Sequence, residues 1–269
     1  MSFLVAVVLV YVAVCALIFL AQDKLLFFPR SQTYQIDSPD AEPIEIAAAG
    51  VTLRGWIVNP LSQGPLVIYF GGNAEELSPL VRTFVPLDAT TVLINYRGFG
   101  LSEGSPSQDA LVGDARIIVQ TMTQRFGKQR SLYLFGRSLG AGVAALAAAT
   151  GSPDGLILLS PYRSVTHLAR QRFPWAPVAW MLRHPFDVES VVGTLPERIL
   201  VIYATDDRVI PASESRALLA LLKGAPLKGA PLKGAPLKSD PQAVEVRGAH
   251  NQPLDGPAIW GPVKAFLGV

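Results

Sequence analysis

The sequence predicts an α/β fold: a mostly parallel eight-stranded sheet flanked by helices, with a small lid and an N-terminal transmembrane helix. Three observations carry this prediction. Short, nearly continuous apolar runs alternate with longer segments, two runs meet at Gly50 as a hairpin would, and an uncharged stretch of 19 residues, 3–21, precedes them all. Strands buried on both faces read as unbroken apolar runs, and parallel strands require crossovers of about a dozen residues or more. With 269 residues, 50% hydrophobic and 16% charged, the chain can bury one large core.

The first element is FLVAVVLVYVAVCALIFLA, close to the ~20 residues needed to cross ~30 Å of hydrocarbon as a helix. It reads as an anchor over 1–22. A cleaved signal peptide fits less well: the run exceeds the usual ~7–15-residue core, no Lys or Arg precedes it, and no small-x-small site follows. Lys24 and Arg30 follow the span, so positive-inside counting predicts the domain 23–269 on the cytoplasmic side of a single-pass membrane protein.

Strands are expected at 42–49 and 51–58, then at 65–70, 91–96, 131–135, 155–160, 198–204 and 243–247. The segments 75–87, 107–126 and 139–150 suit crossover helices. Residues 161–191, with Pro174, Pro177, Pro185, Trp175 and Trp180, exceed one crossover and are read as a lid; a long crossover helix plus loop is the alternative. Residues 224–238 repeat GAPLK three times, and a proline at every fifth position blocks helix propagation, so a solvated low-complexity loop is expected.

Composition also excludes several functions. A net charge of +2 with no basic-aromatic cluster gives nucleic acid little to hold. Cys15, the only cysteine, lies inside the apolar run and leaves no disulfide, Cys-rich zinc site or thiol nucleophile. His167, His184 and His250 lack helical metal-site spacing, so no metal and no cofactor are expected.

Two segments match Gly-x-Ser-x-Gly, a turn in which glycines let the flanking backbones approach a serine closely. Ser138 follows the apolar run SLYLF and precedes AGVAALAAA, whereas Ser102 lies among turn residues in YRGFGLSEGSPS, so Ser138 is the candidate nucleophile. A serine hydroxyl needs a base, and a histidine base needs a carboxylate to hold its tautomer. His250, in the Gly-Ala-His-Asn-Gln loop after the last strand, is the candidate base. Both Asp206 and Asp207 follow the strand RILVIYA. Asp207 is preferred because it precedes the buried-looking Val209-Ile210 by two residues, with Asp206 as the alternative. For an oxyanion, the backbone N–H groups of Asn73, in Gly71-Gly72-Asn73-Ala74, and of Leu139 are the candidate donors.

With these motifs in the order Ser, Asp, His, the chain from about residue 22 onward resembles the α/β-hydrolase superfamily. Gln22-Asp23-Lys24-Leu25-Leu26-Phe27-Phe28-Pro29, GGNAEE, NYRGFGLSEGSPS, GRSLGAG, TDDRVIP and GAHN are similar to membrane-anchored α/β-hydrolase-domain proteins that include acyl-protein thioesterases, and to serine aminopeptidase-type hydrolases. The resemblance implies a cofactor-independent serine hydrolase for an ester or thioester of a lipid or acylated substrate, and supports Asp207 as the acid. A serine aminopeptidase-type peptidase and a catalytically silent membrane-tethered scaffold are the competing readings. The family's oxyanion loop often reads His-Gly-Asn-Ala; here Gly71 stands in place of the histidine.

Overall fold

Runs too apolar to face water on either side become the interior of one sheet. The computed structural model describes residues 2–31, 33–224 and 240–269. Its strands are β1 (Ala41–Ala48), β2 (Val51–Val58), β3 (Leu66–Phe70), β4 (Thr90–Ile94), β5 (Leu132–Arg137), β6 (Gly155–Leu159), β7 (Ile199–Ala204) and β8 (Gln242–Val246). They form a single sheet in the order β1-β2-β4-β3-β5-β6-β7-β8, antiparallel at β1-β2 and β2-β4 and parallel elsewhere. This is the predicted α/β-hydrolase architecture. β3, β4, β6 and β7 are buried along their whole length, as their unbroken apolar runs require. Gly55 permits the β2-β4 pairing, because a Cβ there would stand 1.9 Å from the Leu93 carbonyl oxygen.

Described helices are α1 (Ser2–Leu26), α2 (Leu80–Phe84), α3 (Gln108–Phe126), α4 (Leu139–Gly151), α5 (Val165–Arg172), α6 (Val178–Met181), α7 (Ala212–Leu222) and α8 (Pro257–Leu267), with a 3-10 turn at Glu189–Thr194. Leu111, Ala141 and Leu218 bring α3, α4 and α7 into the core on one sheet face, while Val81 and Trp260 bring α2 and α8 into the core on the other. Ser107 caps α3 by accepting from the Ala110 amide at 3.2 Å.

α2 is shorter than the helix expected over 75–87. Before Pro79, side chains take the bonds that a helix would have used: Leu77 N–H donates to Asn95 Oδ1 at 3.0 Å, and the Glu76 carboxylate accepts from Asn95 and from the Ser78 hydroxyl. The segment 161–191 contains no long crossover helix; Pro174 and Pro177 separate α5 from α6. The GAPLK repeat lies, except for Gly224, outside the described residues. The stretch Phe3–Leu26 of α1 is long and apolar enough to cross a membrane.

Strand order fixes where a site can form. From β3 the chain moves outward to β4, then returns to β5 on the other side of β3. Loops leaving the carboxyl ends of β3 and β5 therefore diverge and open a crevice between them.

Candidate active site

Ser138 sits in that crevice, on the turn between β5 and α4, with φ 54° and ψ −118°. Few non-glycine residues adopt such a backbone, and the neighbouring glycines make room for it. A Cβ on Gly136 would stand 2.2 Å from the Gly140 carbonyl oxygen, and one on Gly140 2.0 Å from that of Phe70. Both contacts are with backbone, so no rotamer change relieves them. The Ser138 amide donates to Leu159 O on β6 at 2.8 Å, pinning the turn to the sheet.

The loops after β7 and β8 deliver the other two groups. Ser138 Oγ lies 2.9 Å from His250 Nε2, and His250 Nδ1 lies 2.7 Å from Asp207 Oδ2. An ionised carboxylate only accepts, so Nδ1 carries the proton and Nε2 is left to accept the serine hydroxyl. Asp207 Oδ1 accepts from the amides of Val209 at 2.9 Å and Ile210 at 2.7 Å. Burial by itself raises the Asp207 carboxyl, but His250 and these two amides outweigh it and hold the group below its ordinary range. Of the two aspartates left open by the sequence, Asp207 meets the imidazole; Asp206 is exposed and accepts from the Thr205 hydroxyl at 3.1 Å.

The second Gly-x-Ser-x-Gly match has a different occupation. Ser102 is buried, donates its hydroxyl to Asn95 O at 2.8 Å and accepts from the Arg54 amide at 2.8 Å, joining its loop to β2. His167 is engaged by the Ser164 hydroxyl at 2.8 Å, and His184 by Asp23 at 2.9 Å, so neither enters the Ser138 site.

Asn73 and Leu139 line the same cavity as Ser138. The Gly72 amide is committed to Glu75 Oε2 at 2.6 Å, while the Asn73 amide has no hydrogen-bond partner among the described residues. Leu139 opens α4, where an amide has no intrahelical acceptor.

A pair that sequence reasoning passed over holds these loops together. Glu75 Oε1 meets Arg137 Nη1 at 2.9 Å, and its other oxygen also accepts from the Tyr69 hydroxyl at 2.9 Å. Arg137 Nη2 donates to the carbonyls of His250 at 3.4 Å and Gln252 at 3.2 Å. Burial pulls the Arg137 guanidinium down, but the nearby Glu75 and Tyr69 overcome this and leave it above its ordinary value. One ion pair thus couples the β3 loop, the Ser138 turn and the His250 loop. The available signal was a charged residue immediately before Ser138, at the end of an apolar strand.

The cavity measures about 1170 Å³. Besides the polar groups near Ser138, its walls carry Phe19 and Leu25 from α1, Leu168 from α5 and Met181 from α6.

An esterase of Pyrococcus furiosus, Pf2001, shares the fold with a TM-score of 0.69 at 14% identity, covering 90% of this chain and 97% of that one. Residues 67–188 match the family model described as serine aminopeptidase, S33. The uncharacterized protein YfhR of Escherichia coli is 30% identical over 215 residues, covering 74% of this chain and 75% of its own. This chain belongs to the α/β-hydrolase superfamily. Another α/β-hydrolase relative, the lysophosphatidylserine lipase ABHD12 of Danio rerio, is 30% identical over 184 residues, 60% of this chain and 48% of that one. As an α/β-hydrolase, the chain carries its Ser138 turn at the carboxyl edge of the sheet, beside the point where strand order reverses.

Proposed function

We propose that this α/β-hydrolase cleaves an ester or thioester of a lipid or acylated substrate through an acyl-enzyme on Ser138. The observation that carries the reading is the unbroken chain of hydrogen bonds from Ser138 through His250 to Asp207 at the wall of a large, partly apolar cavity. His250 Nε2 takes the hydroxyl proton as Oγ attacks the acyl carbon, and Asp207 stabilises the imidazolium that results. The Asn73 and Leu139 amides receive the oxyanion. His250 then protonates the leaving alcohol or thiol, the acyl–oxygen or acyl–sulfur bond breaks, and water repeats the sequence to free the acid and restore Ser138.

In this reading residues 1–22 anchor a catalytic domain formed by 23–269, and the segment 161–191 acts as its lid. Lys24 and Arg30 after the span favour the cytoplasmic side. Glu75, the carboxylate held against the Ser138 turn by Arg137, is already engaged and is poorly placed to receive the amine of a peptide substrate.

The full chain in detergent or nanodiscs is expected to hydrolyse long-chain acyl esters or thioesters in preference to aminoacyl anilides. Turnover of the anilides alone would establish the peptidase reading instead, and turnover of neither would leave a silent scaffold.

The oxyanion assignment has its own test. Because the Asn73 contribution is a backbone N–H, Asn73→Ala is expected to keep kcat nearly unchanged. Asn73→Pro removes the donor and is expected to lower kcat by about 10²–10³-fold. Steady-state kinetics on proteins with matched melting curves checks this; equal activity of the two variants would remove Asn73 from the oxyanion hole.

A further inference from the structure

Between Arg172 and Arg183 runs FPWAPVAWML, ten residues without a charge. Connecting segments are ordinarily polar, yet here Trp180 is 92% and Trp175 49% exposed. This segment lies along α1. Tyr11 donates its hydroxyl to Trp175 O at 3.1 Å, with the two rings 6.2 Å apart edge-to-face. Farther along α1, Gln22 donates to Met181 O at 3.1 Å and accepts from the Arg183 amide at 2.7 Å. Tyr11 and Gln22 are separated by roughly 16 Å at 1.5 Å per residue, so the segment follows α1 well into the span rather than meeting it at its end.

Backbone entering lipid must satisfy its own donors. Pro174 and Pro177 have no N–H, the Phe173 amide donates to Ala169 O at 2.8 Å, and those of Ala176, Val178, Trp180 and Leu182 donate within the segment. Gln22, where the uncharged run gives way to Asp23 and Lys24, holds the end of this stretch through Met181 and Arg183. The elements that meet here also enclose the reaction site: Phe19 and Leu25 of α1 face the Ser138 cavity together with Phe173 and Met181.

We propose that Phe173–Leu182 inserts into the bilayer alongside α1, from Gln22 to Tyr11, so that a lipid substrate reaches Ser138 sideways from the acyl phase. Arg183, paired with Asp23 at 3.1 Å, then stands at headgroup level, where its side chain can reach water, while Arg172 lines the Ser138 cavity. The insertion rests on α1 crossing the membrane, and the route of entry rests in addition on Ser138 being the nucleophile.

The full chain is reconstituted in phosphatidylcholine nanodiscs, with and without bromine on the acyl chains. Trp180 emission, taken as the difference between wild type and Trp180→Phe, is expected to be largely quenched by the brominated lipid. Equal emission in the two bilayers, whether water or a second copy covers the residue, overturns the insertion. This readout needs no catalysis, so it separates a failure of insertion from a failure of the hydrolase reading.

For the route, Trp180→Ser is expected to slow hydrolysis of a long-chain ester held in the bilayer by about tenfold. Hydrolysis of a short-chain soluble ester and labelling of Ser138 stay as in wild type. Loss on both esters alike, or on neither, overturns lateral entry. A chain that neither labels nor hydrolyses any ester overturns the entry route along with the hydrolase reading, while quenching still decides the insertion.

Discussion

Ser138→Ala is expected to abolish labelling by a fluorophosphonate probe and to lower ester turnover by about 10⁴-fold or more, because removing a nucleophile disables the whole relay at once. Ser102→Ala should retain both activities despite the identical Gly-x-Ser-x-Gly surroundings. Its hydroxyl serves Asn95 O and the Arg54 amide, so the variant should instead lose about 1–3 kcal/mol of stability through the buried groups it strands. Gel fluorescence with the probe, alongside thermal melts, reads both effects. Labelling that survives in Ser138→Ala and vanishes in Ser102→Ala would exchange the two roles.

Asp207→Asn is the second large effect, with kcat expected to fall by about 10⁴-fold while Asp206→Asn stays near wild type. Asparagine can offer His250 Nδ1 an N–H in place of a carboxylate oxygen, which drives the proton onto Nε2 and removes the acceptor that Ser138 needs. The same substitution has a pH signature. Because the Asp207 carboxyl is held below its ordinary range, it adds stability above the unfolded value of about 3.9 and loses that contribution as pH falls through the folded value. The melting-temperature gap between wild type and Asp207→Asn should therefore narrow as the solution is acidified below that range. A gap independent of pH would mean that the carboxylate's charge contributes nothing to the fold.

The legible parts of this molecule are those written in contiguous residues. All eight strands lie within two residues of their expected positions, since a fully buried strand leaves an unbroken apolar run such as Leu66–Phe70. Ser138, Asp207 and His250 were each readable from a loop that follows a strand. The preference for Asp207 over Asp206 had only the spacing to Val209-Ile210 and the family resemblance behind it, because two adjacent aspartates differ only in which way the turn aims them, and Val209 proves 59% exposed. Pairings between distant segments were also hidden. Neither Glu75 nor Arg137 is unusual in composition, and their importance arises only when β3 and β5 become neighbours. Likewise α1 reads as a tether in sequence, whereas in the structure Gln22 and Asp23 grip the segment Met181–His184. The expected helix over 75–87 failed for a local reason: Glu76, Ser78 and Asn95 offered the backbone competing partners.

The left-handed turn at Ser138 bears on whether this fold has retired from catalysis. A serine at φ 54° costs about 1–3 kcal/mol relative to a relaxed conformation, and glycine would occupy the position without strain. Most substitutions that relieve such strain are neutral or beneficial for folding alone, so a lineage freed from chemistry would drift down that gradient. At position 138 this chain carries a side chain that costs folding energy, with its hydroxyl 2.9 Å from an imidazole nitrogen.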